Sequence, residues 1–113
     1  MTPDIPELVF KSAEKSLQEF CSKPIVRSGH EFLVVMEACS DGFDLLVSRF
    51  DNEQQLALAR LQFSPELKQW TIHRPRTENR WSYVPEAGGS LDLNKLLRYV
   101  KDDPLNIFWT SFP

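Results

Sequence analysis

Two apolar, alternating runs, residues 31 to 39 (EFLVVMEAC) and 43 to 50 (FDLLVSRF), meet at Asp41-Gly42. An Asp-Gly pair supplies the positive φ values of a tight type I′ turn, so the segment predicts a β-hairpin with a two-residue turn. This commits the middle of the chain to antiparallel sheet. With that turn, residues whose numbers sum to 83 lie opposite one another: Ala38 with Leu45, Met36 with Val47, Val34 with Arg49. Their face is mostly apolar and should point to the core. The other face mixes Glu37, Cys39, Asp44 and Ser48 with Leu33, Val35 and Leu46, so it should be partly wet.

Three further strands follow from alternation: residues 57 to 63 (ALARLQF), 69 to 74 (QWTIHR) and 79 to 84 (NRWSYV). Ser64-Pro65-Glu66 and Pro75-Arg76-Thr77-Glu78 separate them. Leu61, Phe63, Trp70, Ile72, Trp81 and Tyr83 fall on one set of faces, and Arg60, Gln62, Thr71, His73, Arg80 and Ser82 on the other.

Helices bracket this sheet. Pro6, Leu8, Phe10, Ala13, Leu17, Phe20 and Cys21 recur near the 3.6-residue period, which predicts an amphipathic helix over residues 6 to 22, with Asp4 as N-cap and Pro24 as the stop. After Gly88-Gly89, Asp92 should cap a second helix through Leu93, Leu96, Leu97 and Val100, ending before Pro104. The expected fold is α+β, a single domain over residues 1 to 113: a five-stranded antiparallel meander with both helices on its one consistently apolar face. The aromatic tail, Ile107 to Trp109 and Phe112, should dock on the same core, because exposing it would invite association.

The Ala59-Arg60-Leu61-Gln62-Phe63 strand, Trp70-Thr71-Ile72-His73-Arg74, Arg80-Trp81-Ser82-Tyr83, Leu96-Leu97, and Asp102-Asp103-Pro104 running to Phe108-Trp109 together resemble a bacterial family known as domain of unknown function 3024. The resemblance covers about four fifths of the chain, from Phe20-Cys21 to Trp109. It implies a small bacterial cytosolic protein and no particular activity.

Composition narrows the partners. The net charge is −3 and no apolar run reaches the length of a spanning helix, which argues against a dedicated nucleic-acid binder and against a membrane partner. Cys21 and Cys39 are too few and too far apart for a disulfide framework, so two free thiols and a cytoplasmic location are expected. Together with His30 and His73 they offer zinc-ligating atoms without the close spacing that forms a chelate, so no metal or other cofactor is expected. Cys21 lies at a helix C-terminus and Cys39 beside Asp44, both of which disfavour thiolate. Gly88-Gly89-Ser90 reads as a connector rather than an anion site, and Asp102-Asp103 as a solvated helix end.

One local departure from the acidic background remains. Three arginines against one glutamate leave residues 70 to 83 at +2, interleaved with Trp70, Trp81 and Tyr83. The candidate anion or partner site is therefore Arg60, His73, Arg74, Arg76 and Arg80, since guanidinium forks match phosphate or carboxylate oxygens. If His73 touches the ligand, binding should strengthen on the acid side of neutrality. The opposing reading makes the rings core and the arginines a solvated strand face. No enzyme signature is present. The function expected is a non-enzymatic binding or interaction module with a protein partner or a second copy; the alternatives are a nucleic-acid or anion binder using residues 70 to 83, and a small enzyme without a recognisable motif.

Overall fold

The computed structural model describes residues 5–27, 29–39, 41–49, 52–76 and 80–109. Helix α1 (Glu7–Cys21) is followed by strands β1 (Ile25–Arg27), β2 (His30–Cys39), β3 (Gly42–Arg49), β4 (Asn52–Ser64), β5 (Gln69–Pro75) and β6 (Trp81–Tyr83), a 3₁₀ turn (Pro85–Ala87) and helix α2 (Leu93–Asp102). All strand neighbours are antiparallel and the order is β1-β2-β3-β4-β5-β6, a plain meander. The sheet curls into a half-barrel and the α+β class holds, with six strands rather than five.

The additional strand is β1. Pro24 ends the connection from α1, and Ile25-Val26-Arg27 pairs with the start of β2, Arg27 opposite His30. Gly29 carries a φ of +79°, a conformation glycine adopts without strain. The Ser-Gly dipeptide was the available signal for this turn.

The central hairpin forms one residue off the expected position on each arm. Cys39 pairs with Gly42, Met36 with Leu45 and Val34 with Val47, so opposed numbers sum to 81. A shift of two in that sum preserves the faces: Phe32, Val34, Phe43, Leu45 and Val47 are buried as the alternation required. Gly42 therefore belongs to the strand, not the turn. Its backbone lies so close to β4 that a Cβ there would overlap the carbonyl oxygen of Leu61.

Strand β4 changes register between its pairings with Leu45 and Leu46. This bulge lets consecutive residues Leu58 and Ala59 both enter the core, beside Leu61, Phe63, Trp70 and Ile72. Both helices cover this inner face, α1 against β2 and α2 against β5 and α1. From α1, Ala13 and Leu17 are buried, with Val9, Phe10, Phe20 and Cys21 packed behind them. The Phe10 ring lies 5.2 Å from that of Phe43. The chain enters α1 through Pro6, which makes no side-chain cap; the expected cap, Asp4, lies outside the described residues. Helix α2 buries Leu93, Leu96, Leu97 and Val100, and the Asp92 side chain accepts from the Asn94 N–H at 3.1 Å.

The end of α2 overturns the expectation of a solvated Asp102-Asp103. Asp102 is exposed, but Asp103 is only 4% exposed. It sits in the left-handed region (φ 45°, ψ 60°) and turns its carboxylate into the tail. One oxygen accepts from Ile107 N–H at 2.7 Å and the other from Phe108 and Trp109 N–H at 3.0 Å each. These bonds seat Phe108 and Trp109 in the core; the Trp109 indole donates to the Val100 carbonyl at 2.9 Å and its ring packs 5.3 Å from Phe32. Phe112 lies outside the described residues.

Candidate ligand-binding face

Among the described residues the helices pack on the inner face, and the outer face of the sheet presents its side chains to a partner. Across it runs one row of directly opposed residues, one from each of five strands: Glu37, Asp44, Arg60, His73 and Tyr83. Trp81 lies one outward position further along β6, opposite Pro75. Beside the row stand Cys39, Gln62 and Thr71, the first two against the Asp41 carboxylate. That carboxylate accepts from Gln62 Nε2 at 3.0 Å and faces the Cys39 thiol at 3.9 Å.

The arginine of this row is already engaged. Arg60 donates through Nε to one Asp44 oxygen at 2.6 Å and through NH2 to the other at 3.0 Å, a bidentate pair. Its guanidinium also stacks on the Trp81 ring, 4.3 Å from the centroid. The Asp44 hydrogen bonds raise the Arg60 pKa, partly offset by burial. Arg60 therefore orders the face rather than offering an open fork.

His73 is half-buried, hydrogen-bonded through Nε2 to Thr71 Oγ1 at 3.1 Å, with its ring 5.7 Å from that of Tyr83. Burial, then the positive charge of Arg60, lower its pKa below 6.5, against a smaller opposite pull from Asp41. Any acid-side strengthening of anion binding through His73 thus begins at lower pH than an unperturbed imidazole would give. The same shift has a consequence for stability. The unfolded chain takes up the His73 proton near pH 6.5 while the folded chain does not. Stability from this residue is full above that pH, falls as the pH drops below it, and levels off once the folded pKa is passed. Proton NMR titration of the native protein should show His73 titrating below 6.5, and Arg60→Gln should move it part of the way up. Titration at or above 6.5 in the native protein would contradict this environment.

The other candidates separate. Arg74 alternates to the opposite side of β5, opposite Ser82, and lines an open cleft of 390 Å³ with Tyr83, Val84, Glu86, Leu105 and Ile107. Arg76 and Arg80 are exposed and close the β5–β6 hairpin through a 2.7 Å bond from Arg76 N–H to the Arg80 carbonyl. The structure thus brings Arg60 and His73 together, puts Arg76 and Arg80 at the end of the same hairpin, and turns Arg74 away.

Trp81 and Tyr83 also depart from expectation. They face outward with His73 instead of joining Trp70 and Ile72 in the core; Tyr83 is 50% exposed and Trp81 half-buried. Asp44, Asp41 and Thr71, which hold the face together, were not among the sequence candidates. Asp44 meets Arg60 through the pairing of β3 with β4, whose register no turn residue in the sequence sets.

Nucleophilic chemistry has little support here. The Cys39 pKa is raised, chiefly by burial, while the Asp41 hydrogen bond lowers it and Asp44 raises it. Burial lifts Cys21 to about 11. Both thiols are free. Among the described residues no group of three or more His, Cys, Asp or Glu side chains converges as a metal site would. At the start of α2, Asp92 N–H donates to Ser90 Oγ at 3.0 Å and Asn94 N–H to the Asp92 carboxylate at 3.1 Å. No described helix is long and apolar enough to cross a membrane.

Fold and site together define a two-layer α+β domain with a curled antiparallel sheet and a polar-aromatic outer face. The chain belongs to the family described as Domain of unknown function (DUF3024), whose family model matches residues 5–110. No curated protein and no solved structure gives a significant match.

Proposed function

We propose that the protein is a non-enzymatic binding module of a bacterial cytosol, and that it takes a short single-stranded nucleic acid across the outer face of β5 and β6. The observation that carries this reading is the outward placement of Trp81 and Tyr83 on the face that holds His73, at the end where Arg76 and Arg80 are exposed. Burial of the rings was the main objection to stacking; it does not apply to Tyr83, while Trp81 is half-buried beneath the Arg60 guanidinium. An exposed Tyr83 offers a platform for one base, worth about 1–3 kcal/mol, and two arginines offer phosphate contacts. The net charge of −3 and the neutralised Arg60 restrict the ligand to a short strand, because no extended basic track follows a backbone.

Anisotropy titration of a labelled octathymidylate at low salt tests this. Wild type should bind, with Tyr83→Ala and the double variant Arg76→Ala/Arg80→Ala each at least tenfold weaker. The double variant should also lower the salt slope by about 1.4, at about 0.7 per phosphate lost. Equal binding by the variants, or no binding at low salt, would overturn the reading. Preference for an acidic peptide over the oligonucleotide would replace the nucleic acid with a protein segment.

A further inference from the structure

Strand β2 is ten residues long, but β1 pairs only with its start, from His30 to Phe32. Beyond that point Pro24 takes the chain off the sheet, and residues 33 to 39 have no strand on that side among the described residues. The direction of their backbone groups follows from the two hairpins. Arg27 pairs with His30 and Cys39 with Gly42, partners three apart in sequence, a spacing at which antiparallel partners exchange both hydrogen bonds, so even-numbered residues of β2 face the β1 side and odd-numbered ones bond to β3. Val34, Met36 and Ala38 therefore direct their N–H and C=O groups to the open edge.

Sheet edges are ordinarily blunted by short strands, lysines, prolines or bulges. The terminal strand β6 and the partial cover β1 are three residues each, with Pro75 and Pro85 about one and Pro24 before the other. Residues 33 to 39 (LVVMEAC) contain no proline, glycine or lysine, and their pairing with β3 runs without a bulge. Val35 is 39% exposed and Glu37 and Ala38 are exposed.

We propose that this edge is a strand-addition site for an extended segment of another protein, one that alternates apolar residues with a lysine or arginine. Main-chain bonds to Val34, Met36 and Ala38 would hold it, and its outward side chains would meet Leu33, Val35 and Glu37, which share one face. Charge selects the occupant. Glu37 is the edge's one charged residue, and a cation opposite it completes a cross-strand pair. A second copy added with two-fold symmetry would set Glu37 against Leu33, Val35, Cys39 or another Glu37, leaving the charge unmatched in every register.

The test uses the full chain and the capped heptapeptide Lys-Thr-Val-Thr-Val-Thr-Lys, whose lysines and valines share a face in either orientation, with the glutamate analogue Glu-Thr-Val-Thr-Val-Thr-Glu as control. Amide hydrogen exchange at Val34, Met36 and Ala38 should slow at least tenfold in millimolar lysine peptide and little in the control. Glu37→Lys should reverse that preference. Ala38→Pro removes an N–H that the ladder does not use, so the variant should keep its melting temperature within a few degrees and lose the protection. The proposal is overturned by unchanged exchange at the three amides or equal slowing by both peptides. It is equally overturned by protection that tracks protein concentration without peptide, or by unfolding of the proline variant.

Discussion

Gly42→Ala should destabilise the domain by about 3 kcal/mol or more, beyond what turn chemistry would give, because the new methyl group would overlap the Leu61 carbonyl oxygen on the neighbouring strand. Backbone has no alternative rotamer, so β3 and β4 must part. That separation loosens the bond from Phe63 N–H to the Asp41 carbonyl, 3.0 Å long, and the Gln62–Asp41 contact beside it. Gly29→Ala is the matched control. Its φ is +79° and nothing lies within 4 Å of a Cβ there, so only backbone strain of about 1 kcal/mol is expected. Urea denaturation of both variants measures the difference. Equal losses would mean that β3 and β4 separate at little cost.

Asp103→Ala should cost on the order of 4 kcal/mol. Three backbone N–H groups lose their acceptor, and those of Phe108 and Trp109 are buried, where an unsatisfied donor costs about 1–3 kcal/mol. Alanine also tolerates the left-handed backbone poorly. Asp103→Asn separates the two contributions. Asparagine suits that backbone and retains one acceptor oxygen, so it should lose roughly half as much. Denaturant midpoints give the stabilities, and amide exchange at residues 107 to 109 reports whether the tail has undocked. A loss below about 1 kcal/mol in the alanine variant would show that the tail seats without the carboxylate.

The outer face became legible only in part from the chain. Arg60 and His73 were placed together by period alone, and the structure sets them directly opposite. Asp44 escaped notice as their partner because nothing in residues 51 to 57 reveals how β4 registers against β3, and a bulge intervenes. The faces of Trp81 and Tyr83 were misassigned for a related reason. Alternation orders residues within one strand, but which set shares a face with the next strand depends on whether opposed numbers sum to an odd or an even value. For β5 and β6 that sum is 156, so odd residues meet odd ones and the rings go outward with His73.

The sequence by itself determined the α+β class, the central hairpin with its correct buried face, and the apolar stripe and cap of α2. These follow from periodicity, turn residues and capping, which act within a few residues of chain. Tertiary structure alone decided that Gly42 is small for the sake of β4, that Asp103 is a buried acceptor for the tail, and that among the described residues no strand covers β2 beyond β1. Each of these depends on where a distant backbone lies, and local propensity carries no information about a neighbour supplied by another part of the chain.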